Sequence, residues 1–279
     1  MPNFGYHLAR LEGSLCRSFY RGLLSLIVHR PVAVPRSLSL DVFSYSGEAT
    51  IPEQVASIRS FLRHVGRPIN FTVVSDGSHS PSSVRLLEKI DPSVRVQTSI
   101  SPLPPELPPR FRDYLTTHPT GKQLAIVMSL PTSRPTLYLD SDVLFFAGAV
   151  DLVGRAGEKN VSAFYLADCQ FSGDPRLLCD VNERNAPVNT GVLLLFKKLD
   201  WSLASERFLK LDGAPTFFSN QTLAHLVVHA AGALPFDPAK YVLQLDDQFV
   251  YPDRYANPNL ALRHYVNPVR HKFWTNLIH

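Results

Sequence analysis

The 279 residues suffice for one sizeable α/β domain, and a composition of 45% hydrophobic and 19% charged residues excludes a disordered or collagen-like chain. A net charge of +4 suits an anionic partner such as a nucleotide diphosphate or an acidic membrane surface, and is too mild for a nucleic-acid binder. Three cysteines, Cys16, Cys169 and Cys179, have no short paired spacing, which argues against a disulfide framework or a zinc ribbon. They read as reduced thiols of a cytosolic protein, with a Cys169–Cys179 pair the alternative in an oxidising compartment.

Residues 1–37 form a segment of their own. Leu8, Leu11, Leu15, Phe19, Leu23 and Ile27 recur at helical spacing among Arg10, Arg17, Arg21, His29, Arg30 and Arg36, with Glu12 the only acid. This pattern predicts a basic amphipathic helix whose apolar stripe docks on the following domain; the alternative is a helix lying on an anionic membrane surface. No apolar run approaches the ~20 residues that span a bilayer. The longest, Leu23 to Val28, runs into His29-Arg30-Pro31 and has no small-residue cleavage site. The expected location is the cytoplasm, with peripheral membrane contact through the helix, or a fragment cut from its anchor.

From residue 38 to 279 a single domain is expected. Leu40 to Tyr45 reads as a strand, and Pro52 opens a helix with Val55, Ile58, Leu62 and Val65 on one face. Phe71 to Val74 is a strand stopped by Ser75-Asp76-Gly77, Pro81 to Ile90 a helix, and Val94 to Val96 a short strand. This alternation predicts parallel βαβ units. Ser101 to Pro109, with five prolines, reads as a stiff loop inside the domain. A helix over about Thr120 to Leu130 then leads into the strand Thr136-Leu137-Tyr138-Leu139, which ends in Asp140-Ser141-Asp142.

Ligands of open α/β sheets bind beyond the carboxyl ends of strands, where Asp140 and Asp142 stand. Two carboxylates converging there suit a hard divalent cation, Mg²⁺ or Mn²⁺, that shares its remaining positions with phosphate oxygens. Ser44 and Tyr45 end the first strand and Asp76 the second, so all three are candidates for nucleotide contacts, Asp76 also being a turn-making residue.

The segment Thr136 to Phe146 resembles the DxD segment of GT-A glycosyltransferases, most closely glycosyltransferase family 8, which includes the glycogenins. Other segments match in the same order. Lys122 takes the place of a family lysine near the donor. Asn189-Thr190-Gly191, before Val192 to Leu195, is similar to the strand under the donor sugar. Asn220-Gln221 is similar to the family's Asp-Gln pair, and His264 with Lys272-Phe273-Trp274 to its terminal motif. The resemblance implies a single Rossmann-like GT-A domain with a mixed central sheet. It implies metal ligation by Asp140, Asp142 and His264, with His271 a rival for the histidine, and donor contacts from Ser141, Asn189, Thr190, Gly191 and Lys272. Trp274 reads as packing.

The function implied is metal-dependent transfer of a sugar from a nucleoside diphosphate sugar, a UDP-sugar by preference, to an acceptor hydroxyl, in glycan or surface-polysaccharide synthesis. Retention of configuration is implied by the family alone. Two departures bear on this. Asn220 stands where the family has an acid, and it can hydrogen-bond a sugar but cannot act as a base. Two extra residues also separate His264 from Lys272. With Asn220 uncharged, the carboxylate near the acceptor is expected from Asp246 or Asp247. The alternatives are a sugar nucleotidyltransferase, which the lack of a glycine-rich basic loop after the first strand opposes, and a catalytically silent nucleotide-sugar-binding protein.

Overall fold

A computed structural model describes residues 3–98, 103–158 and 160–278. In chain order the elements are α1 (Phe4–Gly22), α2 (Leu24–His29), β1 (Asp41–Ser46), α3 (Ile51–His64), β2 (Asn70–Ser75), α4 (Pro81–Glu88) and β3 (Val94–Gln97). There follow α5 (Pro109–Thr117), α6 (Pro119–Ser129), β4 (Thr136–Asp140), β5 (Val143–Phe145), α7 (Val150–Arg155), β6 (Ala163–Ala167) and β7 (Val188–Leu195). The last are α8 (Ser202–Leu209), α9 (Ser219–Ala230), β8 (Leu234–Pro235), β9 (Tyr241–Val242), β10 (Leu262–His264) and α10 (Lys272–Thr275).

The central sheet has the order β3-β2-β1-β4-β7-β6-β8, and a small sheet has the order β5-β10-β9. Strands β3, β2, β1 and β4 run parallel, as their helical crossovers require, whereas β7 runs antiparallel to both β4 and β6. The carboxyl ends of β1, β2, β4 and β6 therefore lie along one edge, together with the amino end of β7. Both faces of the sheet are covered. Val42, Val73, Leu137 and Leu194 pack with α3, whose Val55, Ile58 and Leu62 are fully buried as their spacing predicts. Each such side chain contributes about 1.5–3 kcal/mol by leaving water. Phe43, Tyr138, Tyr165 and Leu193 pack on the other face with α5, α6 and α9.

The proline-rich segment behaves in two ways. Residues 99–102 lie outside the described part, 103–108 are irregular, and Pro109 begins α5, a helix that the run of prolines concealed. Proline at the first helical positions lacks an N–H that would be unpaired there anyway.

The amino-terminal segment docks, but of the predicted stripe only its end, Ile27, packs on the core. Helix α1 is capped by Asn3, whose side-chain oxygen accepts from Tyr6 N at 3.1 Å. It turns Tyr6, Ala9, Gly13 and Tyr20 toward the domain. Tyr6 meets His271 and Phe249 with ring centroids 5.6 and 5.2 Å away, and Tyr20 meets Trp274 at 5.3 Å. Gly13 permits this approach, because a methyl group there would overlap the backbone of His271. Arg17 adds an ion pair to the buried Glu53, with Nη2 3.0 Å from Oε2. Leu8, Leu11, Leu15 and Phe19 remain exposed. A break at Leu23 separates α2, which buries Leu24 and Val28 in the main core with Ile27 packed against it. Among the described residues no helix is long and apolar enough to cross a membrane.

Candidate active site

Between Asp140 and Val143 the chain passes from the large sheet to the small one. Asp140 closes β4 beside Tyr45 of β1, and Val143 opens β5, which pairs antiparallel with β10 so that His264 stands opposite Val143. This change of sheet ends the strand alternation and lets both carboxylates face one point. His264 Nε2 lies 3.0 Å from Asp142 Oδ1 and 3.7 Å from Asp140 Oδ2. One ligand atom from each of the three residues lies within 4.8 Å of the other two. Asn189, at the start of β7, places its side-chain oxygen 3.0 Å from His264 Nδ1 and accepts Gly191 N–H at 2.8 Å. A methyl group at Gly191 would overlap the imidazole, so glycine is required for the histidine to sit here.

The electrostatics divide the two acids. Burial works to raise both. It prevails at Asp140, with the neighbouring Asp142 adding to it against His264, and the carboxyl is pushed up to about 6. At Asp142 the charge and hydrogen bond of His264, together with Arg270, outweigh burial and hold it down at about 2. Burial likewise opposes a charged His264, but the two carboxylates outweigh it and raise its pKa.

Residues around the pair fall into two groups. Gln123 of α6 donates from Nε2 to Asp140 Oδ1 at 2.8 Å, the Tyr138 hydroxyl donates to the same oxygen at 3.0 Å, and Asn220 Nδ2 donates to Gln123 Oε1 at 3.0 Å. Along the edge, Asp168 follows β6 and accepts from Gln221 Nε2 at 3.1 Å and from Asn189 Nδ2 at 3.5 Å. Asn189, Asn220 and Gln221 therefore reach one cluster with the metal-type triad. Thr190 and Ser141 are buried beside it in sequence, and Tyr45 is half-buried next to Asp140.

Three expectations are corrected. Asp247 is fully buried and bonds Arg263 Nη2 at 2.7 Å, with Lys272 Nζ 3.4 Å away, so no acceptor hydroxyl can reach it. Lys272 is also buried; its ammonium donates to Val250 O at 2.7 Å and to Pro252 O at 2.8 Å, which leaves nothing for a diphosphate. Ser44 is buried and donates to Gln54 Oε1 at 2.9 Å, turned into the sheet-to-α3 layer. Lys122 is exposed, and the neighbouring Gln123 is the residue that reaches Asp140. Asp76 lies at the sheet edge, accepting from Ser78 N at 2.8 Å, and a side chain at Gly47 would overlap its carboxylate. His271 faces Tyr6 and Pro268, apart from the triad. Asp246 is exposed and accepts from the Tyr255 hydroxyl at 2.6 Å.

Sequence reasoning missed Gln123, Asp168 and Arg270. Asp168 had a readable signal, since Ala163 to Asp168 repeats the form of Thr136 to Asp140, an apolar strand closed by an aspartate. Arg270 donates from Nη2 to Asp142 Oδ2. It also lines a cavity of about 500 Å³ shared with Tyr6, Arg10, Arg17 and His271. A carboxylate pair and an imidazole with an arginine alongside can hold a divalent cation and an anionic ligand together.

No family model and no curated protein sequence matches the chain. Solved structures do match. The galactosyltransferase LgtC, in complex with donor and acceptor sugar analogs, superposes with a TM-score of 0.57 at 16% identity, over 85% of this chain and 94% of that one. The apo bifunctional glycosyltransferase WbbM gives 0.58 at 13%, over 90% of this chain and 51% of that one. Mouse xyloside xylosyltransferase 1 gives 0.51 at 11%, over 84% and 99%. At such identities the likeness is one of architecture, and it identifies the mixed sheet and its flanking helices as the GT-A glycosyltransferase fold.

Proposed function

We propose that the chain is a metal-dependent glycosyltransferase that takes a sugar from a nucleoside diphosphate sugar, a UDP-sugar in the first instance, and passes it to an acceptor hydroxyl. The observation that carries this reading is the convergence of Asp140, Asp142 and His264 at the carboxyl edge of a GT-A sheet. The donor set fits Mn²⁺ or Mg²⁺: two carboxylate oxygens and an imidazole nitrogen, with the second imidazole nitrogen fixed by Asn189. When bound, the cation supplies positive charge to a leaving diphosphate.

The protein's own residues do the remaining work. Asn189 holds His264 in the tautomer that turns Nε2 to the carboxylates. Arg270, close against Asp142, offers a guanidinium fork to the diphosphate in the role the resemblance gave to Lys272. Asn220 and Gln221 open α9 facing the cluster, where their amides can hydrogen-bond sugar hydroxyls. Asp168, oriented by Asn189 and Gln221, takes the place of Asp247 as the carboxylate beside the reacting sugar.

Calorimetric titration of UDP, then GDP, with and without Mn²⁺, tests this on the wild type and on Asp142→Ala. Binding that requires both the metal and Asp142 supports the reading, and binding indifferent to both overturns it. Slow hydrolysis of the preferred UDP-sugar then separates a transferase from a protein that only binds nucleotide sugars.

A further inference from the structure

We infer that the cavity between α1 and residues 267–274 is a binding site for a phosphorylated sugar, and that α1 supplies two of its three arginines. From the helix, Tyr6, Arg10, Gly13 and Arg17 line it, following one another at steps of three and four residues and so sharing one face. This is the fastened face. A methyl group at Gly13 would overlap the backbone of His271, and the Tyr6 ring meets the His271 ring with centroids 5.6 Å apart. The helix is therefore a fixed wall of the cavity. Across from it stand Asn267, Arg270 and Trp274, and Glu53 of α3 completes the lining.

Charge says what the cavity takes. Three guanidiniums, those of Arg10, Arg17 and Arg270, share the lining with a single carboxylate, Glu53. Glu53 occupies Arg17 Nε and Nη2, and Arg270 turns its Nη2 to Asp142. Arg10 lies with Cζ 5.5 Å from the Tyr6 ring centroid and makes no ion pair among the described residues. Such an excess of fixed positive charge in a recess draws an anion, and guanidinium forks suit phosphate oxygens. Ser14 and Asn267 also line the space, and their side chains make no hydrogen bond among the described residues, which leaves a hydroxyl and an amide for the hydroxyls of a ligand. At about 500 Å³ the cavity falls within the ~300–1,000 Å³ of small-molecule sites, so a bare ion would leave most of it empty. Two sources carry this chemistry, the diphosphate end of a nucleotide sugar and a phosphorylated acceptor.

The test is calorimetric titration of glucose 1-phosphate into the full chain in chelator, with glucose and inorganic phosphate titrated alongside. Glucose 1-phosphate should bind more tightly than inorganic phosphate, glucose should not bind, and added salt should weaken binding. Arg10→Gln should weaken binding by about tenfold, and Arg10→Glu should abolish it. Leu15→Ser, on the exposed side of the same helix, should bind as wild type does. Arg10 is exposed, so thermal melting of its variants should match wild type. Chelator takes the metal triad out of the measurement, so this inference and the proposed function can fail separately. Where UDP and Mn²⁺ bind as proposed, a repeat on the chain saturated with both names the source. Competition assigns the cavity to the donor's diphosphate, and undiminished binding assigns it to a phosphorylated acceptor. Wild-type protein that does not bind glucose 1-phosphate at millimolar concentration, or Arg10 variants that bind it as well as wild type, would overturn the inference.

Discussion

The side-chain oxygen of Asn189 is held 3.0 Å from His264 Nδ1, so an asparagine on β7 sets the orientation of a histidine 75 residues later on β10. A ligating histidine depends on such a partner for its tautomer and ring angle. Asn189→Ala should leave the fold intact and weaken Mn²⁺ binding by roughly 10- to 100-fold, read by calorimetry. Unchanged affinity would show that His264 is not a ligand.

The metal affinity should also depend on pH, with a sign that the two acids fix. Asp140, raised to about 6 mainly by burial, gains its proton as pH falls through 6, whereas Asp142, near 2, stays ionised. A protonated carboxyl cannot ligate, and protonation of His264 acts in the same direction. Mn²⁺ affinity should thus already begin to fall below the raised pKa of His264, and drop by up to about a hundredfold per pH unit below 6, where both groups compete with the metal for a proton. Without metal the sign reverses. The folded state binds the Asp140 proton more tightly than the unfolded chain does, so this group adds stability as pH falls from 6 toward 4. Calorimetry at pH 7.5, 6 and 5, with melting curves in chelator, checks both.

Asp247 belongs to a buried ionic group with Arg263, Asp253 and Lys272, two charges of each sign. Neutralising one member leaves another without a partner inside the protein. Asp247→Asn should cost about 3–5 kcal/mol of stability in urea denaturation while the folded fraction still binds UDP and Mn²⁺. A stable variant without transfer activity would return Asp247 to the reaction.

How far the sequence could be read follows from the range of each signal. Strand ends are local, so Asp140 and Asp142 were legible from an apolar run and what stops it, whereas the Asn189 strand was picked out by its family resemblance. The facing of Gln123 rather than Lys122 is a rotation by one residue about α6, which periodicity does not resolve in a helix buried on several sides. Lys272 looked like a phosphate ligand because its partners come from residues 247–252, and no spacing announces that they close over it. In α1 the large residues dominated the pattern, whereas the docked face is made partly of Ala9 and Gly13, whose small size is what permits close approach.

Asn220 is the last of these cases, because the structure gives its uncharged amide a task. Asn220 Nδ2 donates to Gln123 Oε1, which turns the Gln123 amide nitrogen toward Asp140. An aspartate at 220 would present an oxygen to an oxygen. Gln123 would then rotate to donate to the new carboxylate and turn its carbonyl oxygen on Asp140, an acid already short of donors for its burial. Restoring the acid that the family resemblance expects should therefore impair the site. Asn220→Asp should raise the Asp140 pKa further and weaken Mn²⁺ binding at neutral pH by about 10-fold or more, the scale of one hydrogen bond to a charged group. Calorimetry on Asn220→Asp and on the double variant Asn220→Asp/Gln123→Ala decides the matter. If the clash acts through Gln123, the second substitution removes most of the added loss; if the single variant binds metal as well as wild type, Asn220 and Gln123 do not govern Asp140.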